Sequence, residues 1–130
     1  MNTQPSASGH TARILLVDDD DALRRVLERV LRSLGFHVEC AANGGSGWKA
    51  IREGNFDLLI TDYNMPEING IQLLRQLRAS GSTLPVILVT AEIDNATLQE
   101  ADSLGKCVTL PKPFEAAALV ATIWSVLDAR

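Results

Sequence analysis

The chain has 130 residues, of which 46% are hydrophobic and 22% charged; that is one domain with enough interior for a core, and it excludes the disordered, collagenous and membrane classes. A net charge of −4 argues against binding to a phosphate backbone, which needs clustered Lys and Arg, so no nucleic acid is expected as a direct partner. No apolar run approaches the roughly 18–20 residues that span a bilayer, and the polar N-terminus MNTQPSASGHTA lacks the apolar stretch of a signal peptide; a cytoplasmic chain with no membrane partner is expected.

Residues 1–12, rich in Ser, Thr, Gly and Pro, read as a disordered tail ahead of a folded domain over 13–130. The first strand, Arg13 to Val17, runs straight into four consecutive carboxylates, Asp18 to Asp21. Leu23, Val26, Leu27, Val30, Leu31 and Leu34 then recur on one helical stripe, and Gly35 stops it. A second strand, Phe36 to Ala41, leads to a helix over Gly45 to Glu53. A third, Asp57 to Thr61, meets Asp62 and is followed by a helix over Gly70 to Ser80 whose apolar positions are Ile71, Leu73, Leu74 and Leu77. The fourth strand, Pro85 to Val89, ends at Thr90 before a helix over Asp94 to Leu104. The fifth, Cys107 to Leu110, approaches Lys112, and Glu115 to Asp128 closes the chain with Leu119, Val120, Ile123, Trp124 and Leu127 on one side.

The runs ILLV, LLI and VILV show no polar alternation, which suits strands covered on both faces of a parallel sheet. Five strand–helix units therefore imply an α/β sheet with helices on both sides. Ligands of such sheets bind outside the carboxyl ends of the strands. That rule gathers Asp18, Asp19, Asp62, Thr90 and Lys112 on one rim, while the second strand ends in CAANGG, which offers nothing ionisable.

Four adjacent carboxylates repel one another unless something offsets the charge. A hard divalent cation does so: Mg2+ takes oxygen ligands and is usually held by one or two carboxylates plus a phosphate. Asp18 and Asp19, at the strand end, are its natural holders, whereas Asp20 and Asp21 read as the opening of the next helix, capping free N–H groups and facing the positive end of its dipole. The competing interpretation makes all four solvated capping and surface acids. Asp62 reads either as a third ligand or as a nucleophile that forms an aspartyl phosphate. Thr90 and Lys112, each ordinary alone, supply a hydroxyl donor and a cation where phosphoryl transfer spreads charge over oxygen.

In order, the blocks ILLVDDD, DLLITDYNMPEING, PVILVTAE and LPKPF resemble the receiver domain of two-component response regulators over about residues 12–130. The resemblance implies a flavodoxin-like (βα)5 fold of strand order 2-1-3-4-5. It also implies that Asp62 accepts a phosphoryl group from a phosphohistidine on a sensor histidine kinase or histidine phosphotransfer protein. Asp18 and Asp19 would organise Mg2+, with Asp19, Asp62 and the backbone carbonyl of Asn64 as ligands. Thr90 would move to hydrogen-bond the phosphoryl group and Lys112 would pair with it, a cis Lys112–Pro113 bond aiming the lysine. Gly70 fits the glycine that follows the phosphoacceptor loop, and Asn64 and Glu92 fit positions that tune dephosphorylation. A downstream protein would read the face made by the fourth helix, fifth strand and fifth helix.

Two departures bear on that output. Thr109 stands where many members carry the Tyr or Phe that swings inward with the threonine, and a hydroxyl cannot reproduce a ring's packing. Lys106 stands where a small Ala usually follows the glycine. A phosphorylation-independent docking module with this fold is therefore an alternative. Another is a haloacid dehalogenase-type phosphatase using Asp18-x-Asp20 with Asp18 as nucleophile, against which stand Ala22, the lack of an acidic pair after Lys112, and the short chain. Cys40 and Cys107, in apolar stretches, are expected to be buried reduced thiols. Trp48 and Trp124 are expected to pack in or near the core, and His10 and His37 fall away from the rim.

Overall fold

Strands and helices alternate five times through residues 12–129, the span described by the computed structural model. The strands are β1 (Arg13–Val17), β2 (His37–Ala41), β3 (Leu58–Asp62), β4 (Val86–Thr90) and β5 (Cys107–Pro111). The helices are α1 (Asp21–Ser33), α2 (Gly44–Glu53), α3 (Gly70–Ala79), α4 (Asn95–Leu104) and α5 (Ala116–Ala129). The strands form one parallel sheet in the order β2-β1-β3-β4-β5, as expected. Most of the expected tail, residues 1–11 with His10, lies outside the described residues. Ala12, assigned to that tail, is buried, and its carbonyl accepts from the His37 N–H at 3.1 Å.

The unbroken apolar strands are explained by the two faces they fill. Ile14 and Leu16 of β1 point into one layer with Leu58, Ile60, Ile87 and Val89, covered by α1 and α5 through Leu27, Leu31, Leu119, Ile123 and Leu127. Leu15 and Val17 point the other way with Leu59 and Val86, against Leu73, Leu74 and Leu77 of α3. Alternation of side chains across a strand makes both faces core. Phe36 and Trp124 meet with ring centroids 4.8 Å apart, and Trp48 packs half-buried against the second layer beneath the Arg52 guanidinium. The tryptophans thus pack as expected.

One position of the α1 stripe departs from expectation. Leu27 and Leu31 are buried and Leu23 and Leu34 pack beside them, but Val26 is 57% exposed. It sits about 100° round the helix from Leu27, beyond the contact with the sheet. The cysteines depart as well. Both are free and only half-buried, although burial pushes each thiol up to about 11, with the Glu28 carboxylate adding to the effect at Cys40.

Candidate functional site

Parallel strands deliver their carboxyl ends to one rim, and there β1, β3 and β4 place Asp18, Asp62 and Thr90, each 3–4% exposed. The run of four acids divides as its local chemistry requires. Asp20 is the N-cap of α1, accepting from the Leu23 N–H at 3.1 Å, and Asp21 pairs with Arg24 at 2.6 Å. Asp18 is turned inward, its Oδ1 accepting from the Asp20 N–H at 2.8 Å. Asp19 stays exposed. Arg24 also donates to the Asp18 carbonyl at 2.7 Å, so one guanidinium pins both ends of the acidic turn. Sequence reading missed that role, although an arginine three residues after Asp21 on a helix was a usable signal.

Asp18, Asp19 and Asp62 each offer a carboxylate oxygen, and these lie within 4.8 Å of one another. Lys112, carried in beyond β5 on a cis Lys112–Pro113 bond, brings its Nζ to 3.1 Å from Asp62 Oδ1. That oxygen is buried and receives no hydrogen bond of regular geometry, so the ammonium meets it as a charge. Both buried acids are held above the ordinary carboxylate value. At Asp62 burial is the main cause, resisted by Lys112, sharpened by Asp19 and eased by the Asn64 N–H. At Asp18 burial again leads, opposed by the Asp20 N–H, with the Asp62 charge pushing the same way as burial. Three hard oxygen donors, mutually repelling and one of them without a donor, suit a divalent cation. The structure thus brings three of the expected residues, Asp18, Asp19 and Asp62, together.

The remaining rim residues are arranged less simply. Thr90 does not donate to Asp62; its Oγ1 donates to the Glu92 carbonyl at 2.6 Å. Asn64 is exposed two residues past Asp62, beside a cleft of about 640 Å³ that opens between the loops after β3 and β4. Thr109 lies away from the acids, half-buried opposite Leu88 on the β5 edge, in a groove of about 380 Å³ with Leu98 and Ala101. Gly70 is required by packing: a Cβ there would stand 2.5 Å from Leu88 Cδ1, 2.6 Å from the Asp62 carbonyl and 2.9 Å from Tyr63 Cα. In the phosphatase alternative Asp20 would face substrate, but its carboxylate is spent on the helix cap.

Comparison with known proteins agrees with this geometry. Residues 14–124 match the family described as the response regulator receiver domain. The chain is 40% identical over 119 residues to the chemotaxis protein CheY of Pseudomonas aeruginosa, covering 89% of this chain and 96% of that one. It is 35% identical to the DNA-binding transcriptional regulator NtrC of Azospirillum brasilense, covering 92% of this chain but 25% of the longer protein. Among solved structures, a CheY-like receiver domain from Methanospirillum hungatei superposes with a TM-score of 0.87 at 28% identity, covering 92% of this chain and 96% of its own. With the acidic rim, the strand order and these relatives in agreement, the chain belongs to the response regulator receiver family, the phosphoacceptor modules of two-component signalling.

Proposed function

We propose that residues 13–130 form a receiver domain whose phosphoacceptor is Asp62. Its donor is a phosphohistidine on a sensor histidine kinase or histidine phosphotransfer protein. The observation that carries this is the Asp62 carboxylate itself: buried, grouped with Asp18 and Asp19, and faced at 3.1 Å by Lys112. An Asp62 carboxylate oxygen attacks phosphorus, the P–N bond breaks, its electron pair returns to the imidazole, and an acyl phosphate remains. The ammonium of Lys112 balances the charge that spreads over the transferring oxygens. Thr90, whose hydroxyl now donates to the Glu92 carbonyl at 2.6 Å, would turn to offer its proton to the new anion. Asp18, Asp19, Asp62 and the Asn64 carbonyl would hold Mg2+, which when bound offsets the repulsion among carboxylates and phosphoryl oxygens. Water attack on phosphorus breaks the bond to the Asp62 oxygen, releasing inorganic phosphate and returning the free carboxylate, so the domain promotes its own phosphorylation and dephosphorylation without being an enzyme acting on another substrate.

Phosphorylation would shift the population between two surface states read by a downstream protein on the face of α4, β5 and α5. No helix among the described residues is long and apolar enough to cross a membrane, which is compatible with a cytoplasmic role. The test is labelling with acetyl phosphate and Mg2+, followed by borohydride trapping and mass spectrometry. Label on Asp62, lost in Asp62→Ala without loss of fold, is expected. Label on Asp18 overturns the assignment, and an adduct that leaves partner binding unchanged favours the docking alternative.

A further inference from the structure

Helix α4 buries only Ala101 completely, and its Leu98 is 39% exposed, so apolar packing holds it weakly. Three polar attachments hold it instead. Ahead of its N-cap Asp94, the Thr90 hydroxyl donates to the Glu92 carbonyl at 2.6 Å. At its middle, Arg75 of α3 forks onto Glu100, with Nε to Oε2 at 2.6 Å and Nη2 to Oε1 at 2.9 Å. At its end, the half-buried Arg78 of α3 donates to the carbonyls of Leu104 at 3.2 Å, Gly105 at 2.9 and 3.2 Å, and Lys106 at 3.2 Å, besides Ser82 at 3.1 Å. The carbonyls of Leu104, Gly105 and Lys106 belong to a turn in which Gly105 and Lys106 both have positive φ, 85° and 50°. A lysine in that region is strained, and the guanidinium holds the turn that contains it.

These attachments are unequal. A hydroxyl has one proton to donate, so Thr90 cannot serve both Glu92 and an anion on Asp62, whereas the two arginine attachments touch nothing at the acidic rim. Resting on the phosphoacceptor reading above, we propose that the Arg75–Glu100 fork is a latch and the Arg78 fan a pivot, so that α4 is released at its leading end and swings about its last turn against the fork. Arg75 and Arg78 are positioning residues in this scheme. The room for the swing is the groove of about 380 Å³ between α4 and β5, lined by Leu98, Ala101 and Thr109. This gives Thr109 a part without any aromatic rotation.

A latch that favours the adduct-free arrangement must weaken the adduct, because coupling between sites is reciprocal. Glu100→Gln and Arg75→Gln should therefore each bind beryllofluoride in the presence of Mg2+ about twofold to fivefold more tightly, the range open to an exposed ion pair. Without beryllofluoride or Mg2+, both should exchange the backbone amides of 95–104 faster. The double exchange Arg75→Glu with Glu100→Arg should return both quantities toward the parent protein. Arg78→Lys, which keeps the charge but not the fork, should speed exchange at 104–107 while Asp62 still takes label from acetyl phosphate. Parental affinity in the single variants, no recovery in the double exchange, or unchanged exchange in Arg78→Lys overturns the latch and pivot while leaving the phosphoacceptor reading intact. Absence of any adduct on the parent Asp62 overturns both.

Discussion

Asp62 occupies a place that its own charge makes unfavourable. Its folded-state pKa is raised, chiefly by burial, so on acidification the folded protein binds this proton before the unfolded chain does. Stability from this group therefore rises as pH falls through the raised folded value, and the gain is complete below the ordinary value of 3.8. The same sign applies to Asp18. Asp62→Asn, which removes the charge and keeps the shape, should melt higher than the parent at pH 7 in chelator, with the difference shrinking toward pH 4 in parallel thermal scans. Mg2+ should act in the opposite sense on the pair. At free Mg2+ a hundredfold above the dissociation constant, linkage adds about 2.7 kcal/mol to the parent, and Asp19→Asn or Asp62→Asn should lose most of that gain. At this scale the sequence was informative because strand ends announce themselves: Asp18, Asp62, Thr90 and Lys112 each follow an apolar run. The acceptor of the Thr90 proton was not legible, since a backbone carbonyl such as that of Glu92 carries no residue signature. Nor was Arg24 noticed, whose reach to the Asp18 carbonyl depends on how the acidic turn folds back over α1.

Among the elements, α3 joins the loop after Asp62 to the core layer formed with Leu73, Leu74 and Leu77. It begins with a capping box in which Asn69 and Gln72 satisfy each other's backbone N–H groups at 2.8 and 2.9 Å. It continues at once with Gly70 pressed against the Asp62 carbonyl. The two positions should respond differently. Asn69→Ala should cost about 1 kcal/mol in urea unfolding with acetyl phosphate labelling nearly intact. Gly70→Ala, whose Cβ has no room against backbone atoms, should destabilise more and also depress labelling by displacing Asp62. Periodicity located all ten elements to within a residue or two, since a two-faced core leaves strong apolar patterns. It failed at Val26, where the apolar stripe is wider than the contact that α1 makes with the sheet. Leu31→Ala should cost about 2–5 kcal/mol and Val26→Ala no more than about 0.5 kcal/mol, both read from urea midpoints.

For the molecule as a whole, two apolar layers either side of one sheet account for the stability, and the rim is where that arrangement carries charge. Unbroken strand runs were enough to indicate a covered parallel sheet. The identity of the covering helices came from topology: α1 and α5 on one side, with α3 on the other. That distribution follows from the strand order and is not written in any single segment. The cysteines fit the same picture, partial burial pushing each thiol up to about 11.

The strand order has one more effect, on the sequence in which the site is completed. All three carboxylates have emerged by residue 62, whereas Lys112 arrives fifty residues later, just past the strand that closes the sheet's edge. A chain still lacking that edge holds the three carboxylates without the ammonium that faces Asp62. On the phosphoacceptor reading, chains clipped before the last strand should take less label from acetyl phosphate than the full domain, because the cation that faces Asp62 at 3.1 Å is missing.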